Sequence, residues 1–285
     1  MDKNIGIFER ISSAYYQLTA AERKVADYVL EQGSQVQFMS ITQLAEECGT
    51  AEATISRFCR TLKLKGFNAF KIEIAQYCAS NGTSPEFTNG DVLEDSFEGR
   101  CQNIGWMIHE AVTQTLQLAV AEDVNQAVHL LEQAERIVSM GAGTSMLPAT
   151  EFAQLFSRVS NKFVAISDSH QQMATVANMT PRDVLVIFSY SGATHIGLEL
   201  LSFAKDKEIP TILVTRFLKS PASKIASVVL RCGSNESPHQ TGSIPAHIAQ
   251  LVVMDVLFRE YFSRNQEICE QRMQRIATAL STKHL

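Results

Sequence analysis

Three hydroxyl side chains follow a strongly apolar segment near the middle of the chain, at a spacing suited to binding an anion. Val184–Phe188 supplies five consecutive apolar residues, the length and composition of a strand buried on both faces. Ser189, Ser191 and Thr194 come directly afterwards, and an apolar pattern with helical spacing begins there. Because a helix N-terminus carries unpaired N–H groups and a partial positive charge, it stabilises phosphate without a lysine. A simple N-cap would need one hydroxyl, so three of them favour a phosphate-binding turn.

A glycine-rich segment offers a second turn of this kind. Residues 141–145 read Gly-Ala-Gly-Thr-Ser, which departs from three known motifs. The third glycine of GxGxxG is replaced by Met146, no lysine follows as in a Walker loop, and the second glycine of GxSxG is replaced by Leu147. What remains is a turn whose backbone can approach an anion, with Ser145 as a donor. Two such turns at adjacent strand ends would clamp one phosphate.

The elements that would position these turns recur at regular intervals through the second half of the chain. Strand-like apolar segments cover residues 136–140, 162–166, 184–188, 210–214 and 227–230, and helical patterns separate most of them. This alternation predicts an α/β fold, a flavodoxin-like three-layer arrangement in which a parallel sheet is flanked by helices. In such a sheet, ligands bind beyond the carboxyl ends of the strands. A capping box at residues 123–126 predicts the start of the helix before the first strand.

The first part of the chain has a different, purely helical pattern. Two capping boxes predict helix starts, Thr19 with Glu22 and Ser40 with Gln43. The helix after Ser40 is short and breaks at Gly49, and a further helix is expected at about residues 51–62. Two short helices joined by a glycine turn, inside a bundle of about five, are typical of a helix-turn-helix.

The second helix of that pair and its flank carry the side chains expected to contact double-stranded DNA. The candidates are Thr50, Glu52, Thr54, Ser56, Arg57, Arg60, Lys63 and Lys65. Residues 57–71 contain five bases and no acid, whereas residues 1–56 contain four bases and eight acids. This segregation allows a chain of net charge −5 to bind a duplex. The arginines would reach phosphates or guanine edges, and the hydroxyls base edges or phosphates.

The overall composition limits the remaining possibilities. The chain has 285 residues, 45% hydrophobic and 19% charged, as in a soluble globular protein. No apolar run approaches the roughly 20 residues that span a bilayer, and the N-terminus lacks a signal-peptide core, so we expect a cytoplasmic protein without a membrane partner. The six cysteines are scattered, with no CxxC pair. We expect them to be reduced core residues, with no metal and no cofactor.

A segment with the composition of a linker separates the two halves. Residues 80–99 contain Asn-Gly and Ser-Pro pairs, five acids and no base. The expected organisation is therefore an all-α helix-turn-helix bundle over residues 1–79, a linker over 80–99 and an α/β domain over 100–285.

Several motifs resemble a known family. The motifs Gly141-x-Gly143-x-Ser145, Asp168-x-His170, Ser189-Tyr190-Ser191-Gly192-x-Thr194, and Val214-Thr215 with Ser220-Pro221 resemble the sugar isomerase (SIS) domain. The motifs Leu44-Ala45, Ala53-Thr54-Ile55-x-Arg57-Phe58 and Gly66-Phe67 with Phe70-Lys71 resemble the helix-turn-helix of RpiR-type transcriptional regulators. The resemblance implies a regulator whose DNA affinity responds to a phosphorylated sugar or amino sugar.

The resemblance also implies which residues hold that effector. The set is Gly143, Thr144, Ser145, Ser189, Tyr190, Ser191, Thr194 and, near the sugar ring, Glu236. Three positions depart from the family pattern: Ala51 replaces a serine, Lys63 a glycine and His247 an arginine. Because operators with two-fold symmetry bind proteins with two-fold symmetry, a homodimer or homotetramer is expected.

Two other functions remain as alternatives. A phosphosugar isomerase with an appended helical module would need a base, for which the candidates are Glu236, His239, His170 and His195. A DNA-reading pattern has no use in an isomerase, so no catalytic residue is assigned. A nucleotide-binding oxidoreductase is disfavoured because GxGxxG is not satisfied.

Overall fold

The computed structural model describes residues 6–80, 96–234 and 242–281. The chain divides into two compact units, and the division falls after Trp106. In the described residues the first unit is helical, and the second alternates strands with helices. None of the helices in these ranges is long and apolar enough to cross a membrane.

The first unit is built from short helices around one apolar core. They are α1 (Ile7–Ala14), α2 (Ala20–Val36), α3 (Ile41–Glu47), α4 (Glu52–Thr61) and α5 (Phe67–Ser80), with a 3-10 turn at Tyr15–Gln17. Both expected capping boxes are confirmed, at Thr19 and Ser40. Ile55 and Phe58 of α4 are fully buried, and the ring of Phe58 meets that of Phe70 edge-on at 5.5 Å. One face of α4 is therefore fixed in the core, and the opposite face is exposed.

The second unit contains a five-stranded parallel sheet. Its strands are β1 (Ile137–Gly141), β2 (Phe163–Ala165), β3 (Val184–Phe188), β4 (Thr211–Thr215) and β5 (Val228–Arg231), in the order β2-β1-β3-β4-β5. All five expected strands and the α/β class are confirmed. Gly141 lies opposite Phe188, and Phe188 lies opposite Val214. The carboxyl ends of β1, β3 and β4 therefore form one edge.

Helices cover both faces of this sheet. They are α6 (Phe97–Leu118), of which the part from Met107 onward belongs to this unit, α7 (Ala121–Gln133), α8 (Met146–Ser157), α9 (Ser169–Asn178), α10 (His195–Asp206), α11 (Ile244–Arg264) and α12 (Gln266–Ser281). Val186 and Phe188 belong to a core with α7, α8 and α11, whereas Leu185 and Ile187 belong to a core with α9 and α10. Successive side chains of β3 thus enter opposite cores, as a strand buried on both faces requires.

Two expectations from the sequence are wrong. The helix before β1 begins at Ala121, with Val120 as an N-cap that makes no side-chain bond, so residues 123–126 lie inside α7 and do not form its capping box. Glu122 and Asp123 lie in its first turn, where negative charge stabilises the helix N-terminus. Five cysteines are buried and reduced, but Cys101, on α6, is exposed and is not a core residue. Helix α6 begins at Phe97, inside the segment 80–99, of which residues 81–95 lie outside the described ranges.

Candidate functional sites

The two hydroxyl-bearing turns lie next to each other at the carboxyl edge of the sheet. Strands β1 and β3 are paired, so the turns that follow Gly141 and Phe188 leave from neighbouring positions. A small crevice of about 10 Å³ lies at this edge and is lined by residues of both strand ends, including Ala142, Ser189 and Thr194. The expected adjacency of the two turns is therefore present in the fold.

The turn after β3 brings two of its three hydroxyls together. Ser189 is buried, and its Oγ lies 2.9 Å from Oγ1 of Thr194, the residue that precedes α10. Thr194 makes no side-chain bond to the N–H groups of α10, so that helix start has no side-chain cap. The Oγ of Ser191 instead accepts a hydrogen bond from the N–H of Ala193 at 3.3 Å.

Gly192 fixes the shape of this turn. Its φ is +59°, and a Cβ placed there would lie 2.2 Å from Oγ of Ser220 and 3.2 Å from Oγ1 of Thr215. The N–H of Ala222 donates to the carbonyl oxygen of Gly192 at 2.9 Å. The segment after β4 therefore packs directly on the turn, and only glycine fits between them.

The turn after β1 is a single 3-10 turn that leads into α8. Gly143 adopts φ +56° and is exposed together with Thr144. Ser145 precedes α8 as its N-cap and makes no side-chain bond to that helix. The amide of Gln172, a buried residue of α9, donates to the carbonyl oxygens of Gly141 at 3.1 Å and Ile166 at 2.8 Å. The ends of β1 and β2 are thereby held together beneath the turn.

One cation at this edge was missed by the sequence analysis. Arg216 directly follows β4, and its Nε donates to the carbonyl oxygen of Ser234 at 3.0 Å. Tyr190 Oη donates to the same oxygen at 2.5 Å, and the carbonyl oxygen of Tyr190 accepts from the N–H of Arg216 at 3.0 Å. Arg216 could have been identified from the sequence, because it directly follows Val214-Thr215 at the end of a predicted strand. The remaining ligand candidate, Glu236, lies outside the described residues.

The bases considered for isomerase chemistry do not converge in the described part of the chain. His170 is exposed, and His195 has an 88% exposed side chain that faces Glu199 at 3.4 Å. Asp168 caps α9 by accepting the N–H of Gln171 at 2.9 Å. His239 lies outside the described residues, and those described contain no metal-binding group of three or more His, Cys, Asp or Glu side chains.

Helices α3 and α4 form the expected helix-turn-helix, and both end in the same way. After α3, Gly49 adopts φ +59° and the N–H of Thr50 bonds the Ala45 carbonyl at 2.8 Å. After α4, Lys63 adopts φ +61° and the N–H of Leu64 bonds the Cys59 carbonyl at 2.9 Å. Each pattern is a Schellman motif. Lysine thus occupies the left-handed position that favours glycine.

Some of the DNA-binding candidates have exposed side chains, whereas others are hydrogen-bonded or buried within the helical unit. Arg57, Arg60, Lys63 and Lys65 are exposed, and Thr54 and Ser56 are partly exposed. Glu52 accepts a hydrogen bond from Oγ1 of Thr42 at 2.7 Å and so joins α3 to α4. Thr50 Oγ1 is buried without a hydrogen-bond partner in the structure, and it does not cap α4, whose N-cap is Ala51. The exposed bases therefore form the accessible part of this helix pair.

A helix-turn-helix with exposed bases, followed by a parallel α/β unit with anion-type turns at its sheet edge, defines a transcriptional regulator with a ligand-binding domain. The sequence matches the rpiR-family helix-turn-helix domain over residues 5–81 and the SIS domain over residues 130–259. An HTH-type transcriptional regulator of Caldanaerobacter subterraneus is 34% identical over 254 residues, 89% of this chain and 88% of that protein. The chain belongs to the RpiR family of transcriptional regulators.

Two further comparisons agree with this assignment. The HTH-type regulator HexR of Escherichia coli K12 is 29% identical over 280 residues, which cover 97% of this chain and 94% of HexR. The structure of Vibrio vulnificus NanR complexed with ManNAc-6P superposes with a TM-score of 0.87 at 24% identity, covering 98% of this chain and 99% of that one. The fold extends over essentially the whole chain.

Proposed function

We propose that the chain is a cytoplasmic regulator whose operator affinity is controlled by a phosphorylated sugar or amino sugar bound at the SIS sheet edge. The observation that carries this proposal is the adjacency of the Ser145 and Ser189–Thr194 turns at the ends of paired strands. The ManNAc-6P in the NanR complex is a compound of the same chemical class. The exposed histidines give no support to an isomerase, so we propose no catalytic residue.

In the proposed site the phosphate lies between the two turns. Ser145, Ser189, Ser191 and Thr194 are its hydroxyl donors. The N–H groups of the exposed residues Gly143 and Thr144 and of the start of α10, which has no side-chain cap, supply the rest. Gly143, Thr144 and Tyr190 shape the turns, and Glu236 is retained as the residue for the sugar ring. No lysine is needed because the helix N-termini supply the partial positive charge.

The proposed mechanism is thermodynamic linkage. The protein acts as a homodimer or homotetramer, and the effector binds one arrangement of its subunits more tightly than another. That arrangement sets the separation of the two α4 helices, which must match successive major grooves about 34–36 Å apart to bind a two-fold operator. Effector and operator then change each other's affinity by the same factor.

The ligand site is tested by a thermal-shift screen. ManNAc-6P and a panel of phosphorylated sugars and amino sugars are compared with their unphosphorylated counterparts. We expect phosphorylated compounds alone to raise the unfolding temperature of the unaltered protein. The double variant Ser189→Ala/Ser191→Ala should lose this response, whereas Ser157→Ala, an exposed serine of α8, should keep it. Equal shifts with and without the phosphate would contradict the site.

The DNA site is tested with a duplex selected from a random-sequence library by the unaltered protein. Arg57→Ala should lower affinity for this duplex by about 10- to 100-fold, the range expected for loss of a specific arginine contact. The thermal shift with phosphosugar should persist. Lys205→Ala removes an exposed base from the SIS unit and should leave DNA affinity unchanged. Unchanged affinity in Arg57→Ala would remove α4 from the proposal.

A further inference from the structure

Helix α6 belongs to both units of the chain. It runs without interruption from Phe97 to Leu118, and the division between the units falls within it, after Trp106. Each turn of a helix is hydrogen-bonded to the next, so neighbouring turns move together. A displacement of the part of α6 that lies in the sheet-containing unit is therefore passed along the helix to the part that lies in the first unit.

A buried threonine joins α6 to the segment that follows β5. Thr115 is 1% exposed, and its Oγ1 accepts the N–H of Gly233 at 2.9 Å and donates to the carbonyl oxygen of Ala111 at 2.6 Å. A Cβ on Gly233 would lie 2.5 Å from the carbonyl carbon of Gln114 and 2.6 Å from the backbone nitrogen of Thr115. Only glycine allows the two backbones to approach so closely. The segment after β5 therefore lies directly against α6.

The next residue of that segment, Ser234, is joined to the turn after β3. Its carbonyl oxygen accepts hydrogen bonds from Oη of Tyr190 at 2.5 Å and from Nε of Arg216 at 3.0 Å. Tyr190 lies between Ser189 and Ser191, two of the proposed phosphate donors. The residue that bonds Ser234 is thus part of the turn proposed to hold the effector.

Together these contacts form a continuous series from the turn after β3 to α6. The hydroxyl of Tyr190 is bonded to Ser234, Ser234 is covalently joined to Gly233, and the N–H of Gly233 is bonded to Thr115. Ser234 and Thr115 are buried, so breaking either hydrogen bond leaves a polar group unpaired away from water, which is costly. A movement of Tyr190 is therefore expected to shift α6 with it, because packed and hydrogen-bonded groups carry such coupling.

We propose that Thr115 is a positioning residue for the response to the effector. It makes α6 follow the turn after β3, so that effector binding at the turn changes the affinity for DNA. The inference rests on the proposed function, because it needs an effector at this turn and DNA at α4. Thr115 belongs to neither proposed binding site. It should therefore set how strongly the two affinities are coupled and leave each affinity, measured alone, nearly unchanged.

The test measures affinity for the selected duplex with and without a saturating concentration of the panel phosphosugar that gives the largest thermal shift. Addition of this phosphosugar should change the affinity of the unaltered protein by about 5- to 150-fold, and that of Thr115→Val by less than about 2-fold. Without its partner, each ligand should bind Thr115→Val within about 2-fold of normal. The end of α6 stays attached to β5 itself, because Arg231 donates to the Leu118 carbonyl at 3.4 Å.

Thr211→Val is a matched control for Thr115→Val. Thr211 is 2% exposed and begins β4, at the amino edge of the sheet, where its Oγ1 accepts the N–H of Ser227 at 2.9 Å. The control loses the same kind of buried hydrogen bond at the opposite edge and should keep the full response to phosphosugar. Thr115→Ser restores the hydroxyl and should also keep it. Thermal unfolding measures the stability that each variant loses.

A change at the other end of the series provides a second measurement. Tyr190→Phe removes the hydroxyl that bonds Ser234, while Arg216 still donates to the same oxygen. At saturating phosphosugar this variant should show a response at least about 3-fold smaller than that of the unaltered protein. Adding Thr115→Val to Tyr190→Phe should reduce the response no further than Thr115→Val alone, because the two residues act in one series.

The inference is overturned if Thr115→Val keeps the full response, if Thr211→Val loses it equally, or if Thr115→Val no longer binds one of the ligands. Should Thr115→Val fail to fold, a full response in Tyr190→Phe overturns it. Failure of the proposed function looks different: the unaltered protein would then bind phosphosugar without any change in DNA affinity. A response that is full in both the unaltered protein and Thr115→Val rejects the role of Thr115 alone.

Discussion

Lys63 carries two opposing effects at a single position. Its backbone is left-handed, with φ +61°, which is unfavourable for any residue with a Cβ, yet its side chain is an exposed base next to α4, the helix proposed to bind DNA. The resemblance described in the sequence analysis predicts a glycine here. The chain therefore trades backbone strain at the end of α4 for an additional positive charge.

Replacing Lys63 with glycine should separate these effects. Lys63→Gly is expected to stabilise the protein by about 1 kcal/mol, because glycine adopts the left-handed conformation without strain. It should also weaken DNA binding and reduce the salt dependence by about one phosphate contact. Denaturant unfolding and salt titrations measure the two effects. Lys63→Ala loses the charge but keeps the strain, so a stabilised Lys63→Ala would contradict this explanation.

The cysteines should differ sharply in reactivity. Burial raises the pKa of Cys48 to about 11 and that of Cys59 to about 12, so almost no thiolate is present at pH 8. Cys101 is exposed. Alkylation with iodoacetamide at pH 8, followed by peptide mass mapping, should modify Cys101 at least about 100-fold faster than the other two. Comparable rates in the folded protein would show that the helical unit opens readily.

Contacts between individual residues could be predicted from the sequence where the two residues are close together along the chain. The Thr19 and Ser40 boxes depend on residues three apart, and both are formed. The contact of Glu22 with Thr61 joins residues 39 apart, and the contact of Arg216 with Ser234 joins two loops. Such contacts depend on how helices and strands pack, which residue spacing does not encode.

At the scale of elements, the turn after β3 depends on its close packing with the segment after β4. A methyl group at Gly192 would lie 2.2 Å from Oγ of Ser220, and the left-handed backbone would be strained as well. Gly143 has the same backbone region, with φ +56°, but nothing lies within 4 Å of a Cβ there. The two glycines thus share the same backbone conformation and differ in whether neighbouring atoms leave room for a side chain.

We expect Gly192→Ala to lower the stability of the protein by more than Gly143→Ala. The Gly143 variant should lose only about 1–2 kcal/mol, the cost of a left-handed alanine, whereas the Gly192 variant adds displacement of Ser220. Thermal unfolding without ligand measures both. Equal losses would indicate that the segment after β4 moves freely and does not hold the turn.

Helices and strands could be predicted where the amino-acid composition of a segment favours one of them strongly. The apolar, β-branched segments predicted all five strands. The prediction is most direct for β3 and β4, which are buried along their whole length, because a strand buried on both faces has a nearly continuous apolar sequence. The start of α7 was misplaced, because Val120 is an N-cap without a polar side chain and a capping motif occurs by chance inside the helix. Adjacency of β1 and β3 followed from the expected flavodoxin-like fold, but their register came only from the structure.

At the scale of the whole molecule, the proposed sugar-phosphate site and the proposed DNA site are linked on one chain. Family membership supports both functions, and the folds of both units are present. The order of the two units could be predicted from the sequence. The coupling between the effector site and the DNA site could not, because it is a difference in free energy between two arrangements of an oligomer.

The most direct test measures affinity for the selected duplex with and without a saturating phosphosugar identified by thermal shift. The unaltered protein should change its affinity by about 5- to 150-fold, the range of typical coupling energies. Ser189→Ala/Ser191→Ala should bind the duplex normally and change by less than about 2-fold. An unaltered protein that binds the sugar but keeps the same DNA affinity would contradict the account, as would a double variant that still responds.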